Sequence, residues 1–173
     1  ARALCGEPDS AAVLLDEAQR IQPIGRHFDM SRHLAEIELN RVVGRTAAAV
    51  HAARAGVAWA QQAGMVGEEA QALEAWLRIA PSHEIAARLG ELASLTDSEL
   101  VACLAEYARA AADPDADALL AVSDRFGLMG ACWLAAEAAA AAAAGFEAGD
   151  RTRAAKSAAR KATDYAERCD GGR

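Results

Sequence analysis

Large apolar side chains are scarce in this chain. It has three Trp, two Tyr and three Phe, and Leu, Ile, Val and Phe together make up 32 of its 173 residues. Because β-strands favour β-branched and aromatic residues, this shortage argues against a β-sheet protein. The missing volume is supplied by 48 Ala, and Ala is the best helix former. The composition therefore predicts an all-α fold.

Motifs for catalysis and cofactor binding are also missing. The sequence has no glycine-rich phosphate loop ending in Lys-Ser or Lys-Thr, and no glycine-rich turn between a strand and a helix. His83 and Glu84 would begin a helical zinc motif, but position 87 is Ala where a second His is required. His33 and Glu36 reverse the order used in di-iron bundles and are not repeated, so we expect both on an exposed helix face. The sequence predicts a non-catalytic protein without metal or cofactor, and a cofactor-binding helical bundle is the enzyme alternative.

The four cysteines are far apart and suggest neither a zinc site nor a disulfide framework. They stand at Cys5, Cys103, Cys132 and Cys169, and no pair has the spacing of a metal knuckle. We expect reduced cytosolic thiols. Cys103 and Cys132 fall within apolar helix stripes and are predicted to lie in the core, where Cys behaves as a small hydrophobe. Cys169 falls near a helix C-terminus, where the dipole disfavours a thiolate nucleophile.

Charge is distributed unevenly along the chain. The net charge is −7, but residues 1–150 carry 11 basic and 22 acidic side chains, whereas residues 151–173 carry 7 basic and 3 acidic ones. The overall sign argues against a nucleic-acid-binding module. The basic end is interpreted as a solvated helix face, with contact to a phosphate backbone or to an acidic neighbouring module as alternatives.

No segment predicts a membrane span or a secretory leader. The run at 138–144 is apolar but too short and too weakly hydrophobic to cross a bilayer. The N-terminus lacks a charged region followed by an apolar stretch and a cleavage site. We expect a cytoplasmic protein. The high content of Ala and Arg is typical of a gene from a GC-rich bacterium. The first residue is Ala rather than Met, and the sequence ends abruptly at Gly171-Gly172-Arg173, so we expect a piece of a longer protein.

Turn residues divide the chain into nine predicted helices with short connections. Gly44 either separates the second and third helices or only kinks one long helix. Asp9 or Ser10 is expected to cap the first helix and Ser82 the fifth. Thr96 and Glu99 are expected to form a capping box at the start of the sixth. The predicted helices cover about 10–22, 29–43, 45–63, 68–81, 82–92, 97–111, 115–126, 131–148 and 151–169.

The helix breaks recur at a constant distance. Gly64, Thr96 and Leu128 are each 32 residues apart, close to the length of a two-helix repeat of the tetratricopeptide type. Small residues fit that design, because Ala and Gly let helices approach closely. Ala142 and Ala154 flank the turn at Gly149 as in that repeat, but its large aromatic and Pro positions are missing. The chain is therefore predicted to form one helical-repeat domain over residues 1–173. Its architecture is expected to be stacked antiparallel helical hairpins in a right-handed, tetratricopeptide-like array.

Four aromatic side chains are the candidate binding residues. Trp59, Trp76, Tyr107 and Trp133 are predicted to line a groove or interface for a peptide or small ligand. The alternative interpretation is that they are ordinary core residues, because helical spacing of aromatics usually marks a core. Three further aromatics share both interpretations: Phe126, Phe146 and Tyr165.

The C-terminal quarter of the chain resembles a known family. The matching segments are RFGLMGA at 125–131, WLAAEAA at 133–139, FEAGDR at 146–151, RAA at 153–155 and AERCDG at 166–171. This order resembles the helical segment that precedes the DNA-binding domain in large LuxR-type, MalT-like regulators of actinobacteria. The resemblance implies a neighbouring ATPase module upstream and a helix-turn-helix module downstream. It assigns no ATP-binding or DNA-binding residue to this chain.

The resemblance implies a function in signal transduction. The chain is expected to be a non-catalytic sensor or coupling domain, which binds an effector or protein partner and transmits that event to the other domains of the same regulator. Direct DNA binding by this chain alone is not expected. The alternative is a freestanding helical scaffold for protein–protein interaction without a transcriptional function.

Overall fold

The structure is a computed structural model that describes residues 5–21 and 26–169. Within these ranges the only regular secondary structure is α-helix, with no strand, so the predicted all-α class is confirmed. The helices are α1 (Pro8–Arg20), α2 (Arg26–Val42), α3 (Thr46–Ala63), α4 (Val66–Leu77), α5 (His83–Ser94), α6 (Glu99–Ala112), α7 (Ala116–Leu128), α8 (Cys132–Ala148) and α9 (Thr152–Glu167).

One of the three predicted helix caps is confirmed, and two are wrong. Ser82 caps α5, because its Oγ accepts a hydrogen bond from the Ile85 amide at 3.4 Å. The expected cap of α1 at Asp9 or Ser10 is wrong: Pro8 already occupies the first helical position, where its missing N–H costs nothing. Glu7, which precedes it, makes no side-chain cap.

The capping box predicted at Thr96 and Glu99 is also wrong. Helix α6 begins at Glu99 itself, so the capping residue is Ser98, whose Oγ accepts from the Val101 amide at 3.4 Å. Thr96 Oγ1 instead accepts from the Ser98 amide at 3.3 Å, in the turn before the helix. The hydroxyl nearest the first helical residue therefore becomes the cap.

Glycines with positive φ separate helices, and other glycines lie inside them. Gly44 has φ of 75° between α2 and α3, so these are two helices and not one kinked helix. Gly127 does not end α7 as expected. It lies within that helix, and Gly130, with φ of 77°, supplies the left-handed residue after it.

The contacts divide the chain into two compact units, Ala1–Pro81 and Ser82–Arg173. In unit 1, α2 packs against α1, α3 and α4, and α3 packs against α4. The helices approach closely where Gly56 of α3 faces His33 of α2: a Cβ on Gly56 would lie 3.3 Å from the His33 Cβ. The acidic side chain of Glu69 is buried here, and Gln61 Nε2 donates to its Oε1 at 2.8 Å.

In unit 2, each helix from α5 to α9 packs against the next. Helices α7 and α8 run antiparallel: a Cβ on Gly145 would lie 3.0 Å from the Ala116 Cβ, and Ser123 Oγ donates to the Ala135 carbonyl at 2.8 Å. The alanines of α8 form much of this core, because their small side chains allow such close packing. The fully buried ones are Ala135, Ala138, Ala139 and Ala142.

Candidate interaction surface

The four predicted groove residues lie in both units. Trp59 and Trp76 belong to unit 1, and Tyr107 and Trp133 belong to unit 2. The ring of Trp59 is half-buried, and the centre of the His33 ring lies 6.1 Å away. His33 and Glu36 are both half-buried, so the prediction that they lie on an exposed helix face is wrong. Gly56, one turn before Trp59, leaves room for α2 and so brings the two rings together.

Trp76 and Tyr107 are core residues of their units. Trp76 is 5% exposed, and the Arg54 guanidinium carbon lies 4.9 Å from its ring centre. Tyr107 is 7% exposed and packs edge-on against Phe126, with ring centres 5.9 Å apart. For both residues, the structure therefore agrees with the alternative core interpretation.

Of the four predicted groove residues, Trp133 is the one with an exposed side chain. It is the second residue of α8, and 49% of its surface is exposed. Leu128, at the end of the preceding helix, is 89% exposed. Aromatic side chains such as Trp are enriched at protein–protein interfaces.

The basic face predicted for the last helix is divided into two parts. One part binds α7: Arg151 forms a two-pronged ion pair with Asp117 at 2.5 and 3.1 Å, and Lys161 Nζ lies 2.5 Å from Asp124 Oδ1. The hydrogen bond from Arg151 lowers the pKa of the Asp117 carboxyl, and the same bond raises the pKa of Arg151. Both pairs are solvent-exposed, so they orient α9 more than they stabilise it.

The other part of this face points away from α7 and forms a basic stripe of Arg153, Lys156 and Arg160. All three side chains are exposed at three- and four-residue steps, and none has an ion-pair partner among the described residues. A shallow open depression borders the stripe at the start of α9. It is lined by Asp150, Arg151, Thr152, Arg153, Ala154 and Ser157. The stripe is therefore free to meet an acidic surface.

The buried thiol of unit 2 is not a nucleophile. Cys103 is fully buried, as predicted, and burial raises the pKa of its thiol to about 11, although the nearby Arg125 opposes this effect. Arg125 itself forms an ion pair with Glu106. The prediction of a core position for Cys132 is wrong. Helix α8 begins at Cys132, so this residue is at the end of the apolar stripe and is half-buried.

Within the described ranges, no group of His, Cys, Asp and Glu side chains is arranged to hold a metal ion. In the same ranges, no helix has the length and apolar character needed to cross a bilayer. Comparison with protein-family models, with curated proteins and with solved structures finds no match to this chain.

Proposed function

We propose that this chain is a non-catalytic coupling domain of a cytoplasmic LuxR-type transcriptional regulator. In this proposal it binds an effector or protein partner and transmits that event to neighbouring ATPase and helix-turn-helix modules. The sequence resemblance over residues 125–171 is the basis for the family, and the surface of unit 2 is the basis for the coupling function. The same assignment places DNA recognition outside this chain.

The regular spacing of the helices is the observation that carries this proposal. Helices α4, α6 and α8 begin at Val66, Glu99 and Cys132, which are 33 residues apart, and α5 and α7 begin at His83 and Ala116, also 33 apart. Two-helix repeats of the tetratricopeptide type have about this length. We infer that the hairpins follow the pattern of a right-handed tetratricopeptide-like array.

The close helix approaches support the same architecture. Gly56 faces His33 at one crossing, and Gly145 faces Ala116 at another, with almost no space for added atoms. Packing of this kind makes a rigid element, and a rigid element is able to carry a displacement from one neighbour to another.

The exposed features of unit 2 are the proposed contact surface. Trp133 offers an apolar anchor, and the basic stripe offers three cations that have no ion-pair partner among residues 5–21 and 26–169. In the regulator, we expect these residues to contact another module or an effector-bound partner. A freestanding scaffold that binds a separate protein is the alternative, and it uses the same surface without the flanking modules.

The experiment that tests this proposal uses the protein encoded by the complete reading frame. If the proposal is correct, about 65 codons of helix-turn-helix follow residue 173. The double variant Arg153→Glu/Arg160→Glu is then expected to change ATPase activity or promoter affinity at least several-fold. The matched control is Arg45→Glu/Arg109→Glu, since both of these arginines are exposed and have no ion-pair partner among the described residues. A reading frame without either module leaves only the scaffold alternative.

A further inference from the structure

Two half-buried thiols lie at the same end of the last helix pair. Cys132 is the first residue of α8, and Cys169 follows the last residue of α9, Glu167, by two positions. Both are free thiols with partly accessible side chains.

The direction of the helices brings these two positions to one end. Helix α7 runs antiparallel to α8, as the contacts of Ala116 with Gly145 and of Ser123 with Ala135 show. It runs parallel to α9, because Asp117 pairs with Arg151 and Asp124 pairs with Lys161 further along both helices. Helices α8 and α9, which pack together, are therefore antiparallel. The start of α8 and the end of α9 lie side by side.

Cys132 begins the inner stripe of α8, and Cys169 lies in the bend two residues after α9, just past the inner stripe of that helix. On α8, the buried stripe that follows Cys132 is Ala135, Ala139, Ala142 and Phe146. On α9, the buried and half-buried stripe that precedes Cys169 is Ala155, Ala158, Ala162 and Tyr165. Both stripes advance in alternating steps of three and four residues, which keeps their members on one helix face.

Contacts near the helix ends bring the two thiols to a similar level. The Tyr165 ring occupies the space where a Cβ of Gly127 would be, so the last turn of α9 lies against the last turn of α7, just before Cys132. Cys169 Sγ donates a hydrogen bond to the Tyr165 carbonyl at 3.5 Å. This bond directs the thiol back along the helix axis, towards the contact between Tyr165 and Gly127. Packed helix axes are about 8–10 Å apart and Cα atoms lie about 2.3 Å from each axis, so facing Cα atoms reach the roughly 4.4–6.8 Å that a disulfide spans.

We propose that Cys132 and Cys169 form a reversible intramolecular disulfide when the protein meets a hydroperoxide. The Cys132 thiolate, at the N-terminus of α8, attacks one oxygen of the peroxide. The O–O bond breaks, the sulfur becomes a sulfenic acid, and after proton transfer the other oxygen leaves as water. The second thiol then attacks that sulfur, the S–O bond breaks, the S–S bond forms and a second water leaves. In total, two thiols lose two electrons and two protons, and hydrogen peroxide becomes two waters. A dithiol reductant reverses the reaction.

The disulfide would join the end of α9 covalently to the start of α8. It closes a loop between residues 132 and 169 and fixes the end of α9, the helix that carries the basic stripe. A crosslink between these two residues also reduces the number of conformations of the unfolded chain. The unfolding temperature of the oxidised form is therefore expected to be higher by roughly 5 °C or more. This inference stands independently of the proposed regulator function.

The test is limited oxidation of the fully reduced chain with hydrogen peroxide, followed by alkylation and peptide mapping without reductant. The expected result is a linkage between Cys132 and Cys169, a raised unfolding temperature, and reversal of both by dithiothreitol. Cys132→Ser and Cys169→Ser should each abolish the linkage and the temperature rise. Cys5→Ser should retain both, because Cys5 is exposed in the other unit.

Two outcomes would overturn the proposal, and both are visible in the unsubstituted protein. One is separate oxidation or alkylation of Cys132 and Cys169 without a link between them. The other is a link from either thiol to Cys5 or Cys103. Helix content measured by circular dichroism shows whether a serine variant has folded, and the map of the unsubstituted chain decides the question without those variants.

Discussion

The Tyr165 ring on α9 lies directly against the backbone of Gly127 on α7. A Cβ at position 127 would overlap the phenol ring, although Gly127 lies inside a helix where Ala is normally preferred. The contact is therefore a steric reason for glycine. It joins two helices that are not neighbours in sequence.

Substitution of this glycine should destabilise unit 2. We expect Gly127→Ala to lower the free energy of unfolding by about 1–3 kcal/mol, because the overlap outweighs the helix propensity of Ala. The matched control is Gly90→Ala in α5, where nothing lies within 4 Å of an added Cβ. That control should raise stability by about 0.5–1 kcal/mol. Urea unfolding measures both, and an equal effect of the two substitutions would show that Tyr165 does not restrict position 127.

Overpacking the Ala-rich helix should have a similar cost. Ala142 of α8 is fully buried, so Ala142→Leu is expected to reduce stability by about 1–3 kcal/mol. Ala140, on the exposed face of the same helix, is the matched control and should accept Leu with little change. Thermal unfolding that is unaffected by Ala142→Leu would contradict the packing of this face.

The structure and the sequence pattern assign the cap of α6 to different residues, Ser98 and Thr96. Ser98→Ala should cost about 1 kcal/mol, because the Val101 amide loses its acceptor. Thr96→Ala should cost less, since Thr96 bonds only to the Ser98 amide ahead of the helix. Chemical unfolding of the two single variants checks the order. A larger loss for Thr96→Ala would support the capping box that the sequence predicts.

Cys103 makes the free energy of unfolding depend on pH in the alkaline range. Burial raises the pKa of this thiol from 9.0 to about 11, so the folded state holds the proton more tightly than the unfolded state. This contribution to the free energy of unfolding is fully present below pH 9. It falls by about 2 kcal/mol as the pH rises through 11. Cys103→Ala should remove this part of the pH dependence, and Cys5→Ala, at an exposed site, should not. Unfolding free energies measured from pH 8 to pH 11 compare the three proteins.

Local signals predicted the helices well. Ala content, the positions of Gly and Pro, and Ser82 ahead of an apolar run are properties of short segments, and helices form from such segments. The capping error at Thr96 arose because three hydroxyl or carboxyl side chains precede Glu99, and the pattern alone does not select among Thr96, Asp97 and Ser98. Only the backbone position of the first helical residue makes that selection.

The candidate surface depended on contacts between distant residues, which the sequence did not reveal. Arg151 pairs with a carboxylate 34 residues away, and Lys161 with one 37 residues away. Which basic side chains of the last helix pair with α7 and which do not is therefore visible only in the folded chain. Spacing placed Trp76, Tyr107 and Trp133 alike on helix faces, yet the first two are buried and Trp133 is exposed. Burial is determined by which helices pack together, and periodicity within one helix does not specify this.

DNA binding by this chain alone, compared with the protein from the complete reading frame, tests the proposed coupling function most directly. The net charge is −7, and the basic stripe of three cations supports only weak, salt-sensitive attraction to phosphates. Specific recognition needs side chains that reach base edges in the major groove. We predict no retardation of any DNA fragment by residues 1–173 at physiological salt, and binding by the longer protein. Sub-micromolar, salt-resistant and sequence-selective binding by residues 1–173 would contradict the account.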